Sequence, residues 1–517
     1  MYLDTFFELF TFFSKFVNTN QSTSFMDRRD FLKTAGVLGA ASVTPSIISG
    51  CSQPSNTLYG QKANAKESYR TQLLVVGGGP AGVCAAVAAA RMGVKVLLAD
   101  SGNCLGGMGT KGLVGPFMTC YDAAGENMII RGLFEEVVDR LIARNAAIHP
   151  SIVRAQSEFT AWIKEGHDHC TPFDPEILKI VYEEMCAEAG VKVLYHANFA
   201  APIMKGDAIR GAVLLTPSGL EEARADMVID ATGDGTVAFR AGAPCVFGDP
   251  ENKRVQPASL FFRINNVDTD RLIADVVPHL PEFRRVNGVS YRCLHWRVAE
   301  AEAAGEWDLA RKSVNIWRSV EKDQWVINCT RIHGVDATDA ENLTAAETEG
   351  RRQVQELMNF FHKYVPGCEK ATLMGTGSTM GIRESRHVLG DFVLNVQDLI
   401  DGIIPEDCIL LSANSIDVHG AQGGPAGGLY MPIKKDMYGI PYRVLLPKGV
   451  KGLLLAGRCV SADSASAGAI RVMPPAMALG QASGIAAALC IKGGIAPEAL
   501  DYADLRKNLL AQKAFLG

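Results

Sequence analysis

Apolar positions fall into continuous runs in some parts of this chain and into helical spacing in others. Leu73-Leu74-Val75-Val76 stops at Gly77-Gly78-Gly79-Pro80-Ala81-Gly82, an alanine-rich stretch of helical spacing follows, and a second apolar run from Val94 to Leu98 ends at Asp100. Unbroken apolar runs mark strands buried on both faces, so two of them around a helical pattern predict a βαβ unit with parallel strands. Each part has a mechanical job in holding a dinucleotide. Gly77 lets the strand turn sharply, Gly79 leaves room for a pyrophosphate, and Gly82 lets the helix lie close to the sheet. The helix start offers N–H groups and a positive dipole end to the phosphates. Asp100, at the tip of the second strand, accepts from a ribose diol.

Further along, a second glycine cluster, Leu105-Gly106-Gly107-Met108-Gly109-Thr110, follows the βαβ unit. Residues 175–189 have helical spacing, and Gly190 is placed to stop the helix. Three apolar runs, 191–197, 209–216 and 223–231, are separated by Gly206-Asp207 and Ser218-Gly219 turns and predict a β-meander. The last run enters a glycine turn, Asp230-Ala231-Thr232-Gly233-Asp234-Gly235. Residues 248–370 change character: strands are predicted at 260–265, 314–318 and 324–330, the last two close enough to pair antiparallel. Helices are predicted around 296–310 and over 344–363, the latter opening on Thr344-Ala345-Ala346-Glu347, which has the form of a capping box. The final third returns to buried-strand patterning at 452–457. Arg471-Val472-Met473-Pro474-Pro475 then leads into an Ala/Gly-rich helix over 476–490, with proline tolerated in its first turn.

Composition narrows the function classes. The 517 residues suffice for two or three domains with large cores, and 48% hydrophobic with 21% charged residues is ordinary for a globular protein. A net charge of −5 gives no hint of a polyanion partner, so no nucleic-acid partner is expected. The thirteen cysteines include no CxxC pair and no Cys/His cluster at zinc spacing, so neither a metal site nor a catalytic thiol is expected.

The N-terminus reads as an address. Met26-Asp27-Arg28-Arg29-Asp30-Phe31-Leu32-Lys33 resembles the twin-arginine export motif, and the mild apolar stretch over 34–48 is too short for a stable membrane span. It ends in Ile48-Ser49-Gly50-Cys51, which resembles a lipobox; the alternative is a simply cleaved signal with an incidental cysteine. Export by the twin-arginine route to a periplasmic or cell-envelope location is expected, with Cys51 as a lipid anchor and as the only membrane attachment. The Phe-rich residues 1–25 lack a basic flank and read as an extension upstream of a true start at Met26, or as an amphipathic extension.

Taken together, GGGPAG, LGGMGT, DATGDGT, NCTRIHGVDATD, GIRESRHVLGD, SIDVHG, IPYRVLLP and the run LLLAGRCVSADSASAGAIRVMPPAMALGQASG resemble the FAD-dependent oxidoreductases of the glutathione-reductase-like superfamily, over roughly residues 71 to 517. The resemblance implies an α/β fold: a Rossmann-like FAD-binding domain, built from βαβ and meander and completed by the C-terminal segment, with an inserted α+β substrate domain. Its boundaries are 1–51 for the extension and signal, 52–70 for a flexible tether, and 71–120 for the first part of the FAD domain. Residues 121–174 form a substrate or cap segment, 175–247 the second FAD part, 248–370 the inserted domain, and 371–517 the last FAD part with an active-site loop. The cofactor implied is FAD, because the dinucleotide fold is split and resumes at the C-terminus. Gly77, Gly79, Pro80, Ala81, Gly82 and Asp100 would hold its ADP half. Gly106, Gly107 and Thr110 would lie at the pyrophosphate, and Gly233 and Asp234 would close over the cofactor. Gly457 and the helix after Met473, including Gln481, would flank the flavin. Relatives place an acid where Arg458 stands, which makes Asp463 a candidate replacement toward the ribityl chain. The sequence Gly423-Gly424-Pro425-Ala426-Gly427 lacks a leading strand and reads as a loop over the active site rather than a second nucleotide site.

Hydride chemistry at a flavin needs a positioned acid or base. His419, with Asp417 two residues away, is the first candidate; the alternative is a structural histidine. Arg383 and Arg386, if helical, share a face and could clamp a carboxylate, or else are tied to Glu384 or other acids in a domain-joining network. Arg471 is a candidate toward the flavin carbonyls or substrate, and Arg331 is a weaker candidate from the inserted domain. The expected function is hydride transfer between flavin N5 and a small organic substrate, a carboxylate or polyol, with a quinone or cytochrome as electron partner. Two alternatives stand beside it: an electron-transfer flavoprotein, and a non-catalytic lipoprotein binding module on this fold.

Overall fold

The computed structural model describes residues 65–517 apart from 165, 250–252 and 421–427, together with two short strands at Thr57–Leu58 and Gln61–Lys62. The start-site, signal and lipobox expectations, and the Gly423–Gly427 loop, lie outside these residues. At the centre is a five-stranded parallel sheet in the order Leu453–Leu455, Met227–Asp230, Leu73–Val76, Val96–Ala99, Lys192–Leu194. All but the last of these strands are wholly buried, which is why their sequences run apolar without alternation. The strand after residue 452 lies beside Met227–Asp230, so the C-terminal third completes the sheet begun by the first.

Helix Pro80–Arg91 connects strands Leu73–Val76 and Val96–Ala99, and helix Met473–Gly493 crosses it very closely. A Cβ on Gly480 would lie 2.0 Å from the Ala81 carbonyl oxygen, and one on Gly484 would lie 2.1 Å from that of Ala85. Glycines four apart share a helix face, so this contact lets the two backbones touch. The 21-residue helix is apolar and long enough to cross a membrane, yet 83% of its apolar window is buried inside the protein. Its apolarity is that of a core helix.

The meander is present with shifted boundaries. Its strands are Asn198–Lys205, Ala208–Thr216 and Gly219–Arg224, with Lys66–Arg70 added parallel on the outside. The run at 191–197 instead contributes Lys192–Leu194 to the edge of the parallel sheet. The run at 223–231 divides between the two sheets: Ala225 N–H donates to Arg210, but Asp226 N–H donates to Gln72 of the parallel sheet. Helix Pro175–Ala189 is capped by Asp174 and ends at Gly190 with φ +76°, where a left-handed residue is needed.

A second core serves the inserted region. Asn315–Arg318, Trp325–Asn328, Phe262–Asn265 and Thr372–Thr376 form an antiparallel sheet in that order. The first two pair as the sequence predicts, and the fourth comes from beyond residue 370. Phe262, Trp325, Leu357 and Phe361 are completely buried between this sheet and helix Ala340–Tyr364. That helix starts before the capping box: Asp339 accepts from Asn342 N–H, while the Thr344 hydroxyl donates back to the Ala340 carbonyl at 2.7 Å. The helix expected over 296–310 is His295–Ala303, closed by Gly305 at φ +72°.

Candidate active site

The three fingerprint glycines have three different environments. Gly77 has φ +103°, and a Cβ there would lie 2.4 Å from the Ala231 carbonyl, so the turn and its packing against the next strand both need glycine. A Cβ on Gly82 would lie 1.8 Å from the Gly77 oxygen, so helix and strand touch through it. Gly79 has nothing within 4 Å of its Cβ position and opens into a cavity of about 640 Å³. Pro80 and Ala81 line the same mouth, at the start of the helix.

The cavity runs from Gly79, Gly107 and Asp100 to a cluster of arginines at its other end. Asp100 lines it, with an oxygen accepting from Gly78 N–H at 2.7 Å and the other from Gly102 N–H at 2.7 Å and Lys111 Nζ at 2.5 Å. Lys111 lines the cavity too and is a residue that sequence reasoning missed. Gly233, Asp234, Gly457 and Arg458 line the cavity as well. Arg458 donates to the Gly233 carbonyl at 3.0 Å, the Ile382 carbonyl at 2.6 Å and the Asp234 carboxylate at 2.6 Å. It ties three wall segments together.

Five other expected cofactor residues lie behind the wall instead of on it. Gly82 packs helix on strand. Gly106 at φ +100° and Thr110, whose hydroxyl donates to Leu105 O at 2.6 Å, shape the second glycine turn. Asp463 caps helix Ser464–Ile470 and accepts from Val396 N–H at 2.9 Å, so its carboxylate is engaged away from the cavity and does not replace the missing acid. Gln481 accepts from Leu133 N–H at 3.0 Å and donates to Gln512 O at 2.9 Å, serving as an internal helix cap.

At the far end, His419 closes strand Ile416–His419, which pairs with Gly428–Met431. Because the chain is extended, Asp417 and His419 share a face, and Nε2 lies 3.1 Å from the Asp417 carboxylate. A carboxylate only accepts, so Nε2 carries the hydrogen and Nδ1 presents a lone pair. Burial, followed by the charges of Arg383, Arg471, Arg331 and Arg311, pushes the imidazole well below its usual 6.5, so it is neutral.

Arg383 is 8% exposed and donates to Pro257 O at 2.6 Å and Ser259 Oγ at 2.9 Å. Arg386 does not share its face. The segment is extended and enters strand Arg386–Val388, so side chains three apart point opposite ways; the Arg386 guanidinium lies 4.2 Å over the Phe239 ring, off the cavity. Nor does Glu384 pair with either arginine: it accepts from His387 at 3.0 Å and Gln256 N–H at 3.0 Å. Arg471 lines the cavity and donates to Gln256 Oε1 at 3.4 Å, the oxygen that also accepts from His419 N–H at 3.2 Å. Gln256 therefore positions both. Arg331 is on the wall as well, its guanidinium lowered to about 10 by burial and by Arg311. Arg292 and Arg311, unforeseen from sequence, line the cavity too, as do Arg285 and Lys312.

The family described as FAD dependent oxidoreductase matches residues 72–509, and the twin-arginine translocation pathway signal matches residues 26–45. Among curated relatives, digoxin reductase of Eggerthella lenta is 33% identical over 104 residues, 18% of either chain. Digeranylgeranylglycerophospholipid reductase of Methanoculleus marisnigri is 30% identical over 186 residues, 35% of this chain and 43% of that one. The chain thus spans less than half the length of these two relatives. Among solved structures, a geranylgeranyl bacteriochlorophyll reductase-like protein of Thermoplasma acidophilum is 16% identical, covering 87% of this chain and 84% of that one, with a TM-score of 0.41. A p-nitrophenol 4-monooxygenase of Pseudomonas putida is 13% identical, covering 87% of this chain and 90% of that one, with a TM-score of 0.43. The cofactor is FAD, and the residues fit it. Gly79 leaves open space at a helix start for the pyrophosphate, and the cavity extends unbroken from there past Gly457 to the start of helix Met473–Gly493.

Proposed function

We propose, for a chain that belongs to the FAD dependent oxidoreductase family, that it moves a hydride between FAD and a carbon of a small carboxylate-bearing molecule. One observation carries the choice of a carboxylate over a neutral polyol: Arg292, Arg311, Arg331, Arg383 and Arg471 line one cavity beside the neutral His419. When bound, FAD supplies a ring nitrogen, N5, that accepts or gives up a hydride. Arg383 and Arg471 present planar forks that suit a carboxylate. His419 accepts the hydroxyl proton of an alcohol being oxidised at Nδ1, and returns it in the reverse direction. Asp417 holds the ring through Nε2 and stabilises the imidazolium so formed. Gln256 keeps His419 and Arg471 in register.

The twin-arginine signal sends the protein out of the cytoplasm. The lipobox-like end of that signal supports a lipid on Cys51, which would hold the enzyme at the cell envelope, where a quinone or a cytochrome takes or supplies the electrons. Anaerobic titration of the holoenzyme with hydroxy acids, keto acids and neutral polyols tests the chemistry. Bleaching of the visible flavin band by a hydroxy acid is the expected result. Bleaching only by a reduced quinone or a protein partner would replace the enzyme reading with that of an electron carrier. Loss of membrane association in Cys51→Ser tests the anchor.

A further inference from the structure

The cations of the cavity differ in what they meet, and several are paired, Lys312 with Glu302 among them. Toward the dinucleotide end, Lys111 is paired with Asp100 at 2.5 Å and Arg458 with Asp234 at 2.6 Å. Toward the other end, Asp417 is the one lining carboxylate apart from those two among the described residues, and it is engaged with His419. Arg383 and Arg471 donate to neutral oxygens of Pro257, Ser259 and Gln256. The guanidinium groups of Arg292 and Arg311 have no hydrogen-bond or ion-pair partner among the described residues. The cluster also has two origins. Arg292 and Arg311 belong to the inserted region, flanking helix His295–Ala303 in sequence, whereas Arg383 and Arg471 belong to the segment that completes the FAD domain. Like charges gathered out of water are costly unless an anion joins them. A single carboxylate can occupy one pair of forks and leaves the other without a partner.

We infer that the substrate carries two separate acid groups, one held by Arg383 and Arg471 on the FAD domain and the other by Arg292 and Arg311 on the inserted region. This rests on the hydride-transfer reading above and names its substrate class: a small dicarboxylic or otherwise doubly acidic molecule that bridges the two parts of the protein. Its second charge contributes binding and orientation, and bridging shields the reacting carbon from water. The same bridge gives the inserted region a part in specificity rather than only in enclosure.

Three probes separate charge from size: lactate, malate, and the malate derivative in which the distal carboxylate is an amide. Each is titrated into the oxidised holoenzyme, with binding read by perturbation of the flavin spectrum and by calorimetry, and redox chemistry read separately by bleaching. Malate is expected to bind about 100-fold tighter than lactate or the amide. Arg292→Gln combined with Arg311→Gln should erase that gap by weakening malate far more than lactate, whereas Arg383→Gln should weaken all three. Equal affinity for malate and its amide in the natural enzyme would overturn the inference, as would no measurable binding of malate. If malate binds with the expected preference but nothing bleaches, two-acid recognition stands and hydride transfer falls. Should lactate bleach the flavin and bind as tightly as malate, hydride transfer stands and the two-acid inference falls.

Discussion

Two alanine substitutions only three residues apart should fail in opposite ways. In Gly82→Ala the new Cβ lies 1.8 Å from the Gly77 carbonyl oxygen and 3.2 Å from the Ala231 Cβ. Restoring an ordinary carbon–oxygen contact of about 3.2 Å requires helix Pro80–Arg91 to retreat from the strand by roughly 1.4 Å. The helix has little slack for this, because its Ala81 and Ala85 carbonyls already meet Gly480 and Gly484 of the crossing helix. Overpacking against backbone belongs at the upper end of its usual cost, about 3 kcal/mol, and alanine's better helix propensity offsets at most about 1 kcal/mol. A net loss of about 2 kcal/mol or more is expected in the flavin-free protein. In Gly79→Ala the backbone φ of −69° suits any residue and nothing lies within 4 Å of the Cβ position. Its stability should be unchanged within about 0.5 kcal/mol, while the methyl group occupies the pyrophosphate approach and weakens FAD binding by about 100-fold or more. Thermal unfolding of stripped protein and flavin fluorescence quenching on reconstitution read the two effects independently. If Gly79→Ala binds FAD normally, or melts as early as Gly82→Ala, the assignment of Gly79 to the pyrophosphate is wrong.

The pH profile should reveal the arginines through His419. Its imidazole is held well below 6.5, so the base form persists as pH falls through that value and kcat/KM for oxidation should stay flat there; Arg311→Gln removes one depressing charge and should move the acid limb up toward 6.5. An acid limb already centred near 6.5 in the natural enzyme would exclude His419 as the depressed base. Arg458→Ala removes charge-assisted bonds to Gly233, Asp234 and Ile382, and a loss of about 2–4 kcal/mol in stability, with weaker FAD retention, should appear on heating the holoenzyme. Arg386→Gln, on the Phe239 side, should leave substrate KM unchanged, whereas Arg383→Gln should raise it at least tenfold; equal effects in steady-state assays would mean that Arg386 reaches the substrate after all.

Local patterns carried much of the fold. The βαβ unit, the stop at Gly190 and the 315–328 hairpin are each specified by residues adjacent in sequence, whose periodicity or turn chemistry has one structural outcome. The division at Ala225-Asp226 was not legible, because buried strands of both sheets read as the same apolar run, and only the third dimension decides which sheet each half joins. The helical premise for Arg383 and Arg386 failed for a related reason. Three-residue spacing is meaningful only once the backbone is known, and the pairing of Arg386–Val388 with Cys245–Phe247, distant in sequence, fixes that backbone as extended.

The site divides along the same line. Its dinucleotide end is built from contiguous motifs, so Gly77, Gly79 and Asp100 could be found by spacing alone. Its other end is assembled from arginines at 292, 311, 331, 383 and 471, which share no motif and which, in isolation, have the composition of surface residues. What distinguishes them is collective: they line one cavity with Asp417 as the carboxylate nearest in kind, and that carboxylate is already committed to His419. The cations that support the cofactor end carry their own acids, because their task is to fix loops whether or not anything is bound. Arg383 and Arg471, which meet neutral acceptors, and the Arg292 and Arg311 guanidinium groups, which have no partner among the described residues, carry a standing electrostatic cost, and such a cost is maintained where a ligand supplies the compensating charge. The contrast between the acid-paired Lys111 and Arg458 and the group of Arg292, Arg311, Arg383 and Arg471 therefore supports the proposal that the former belong to the scaffold and the latter to the recognition surface.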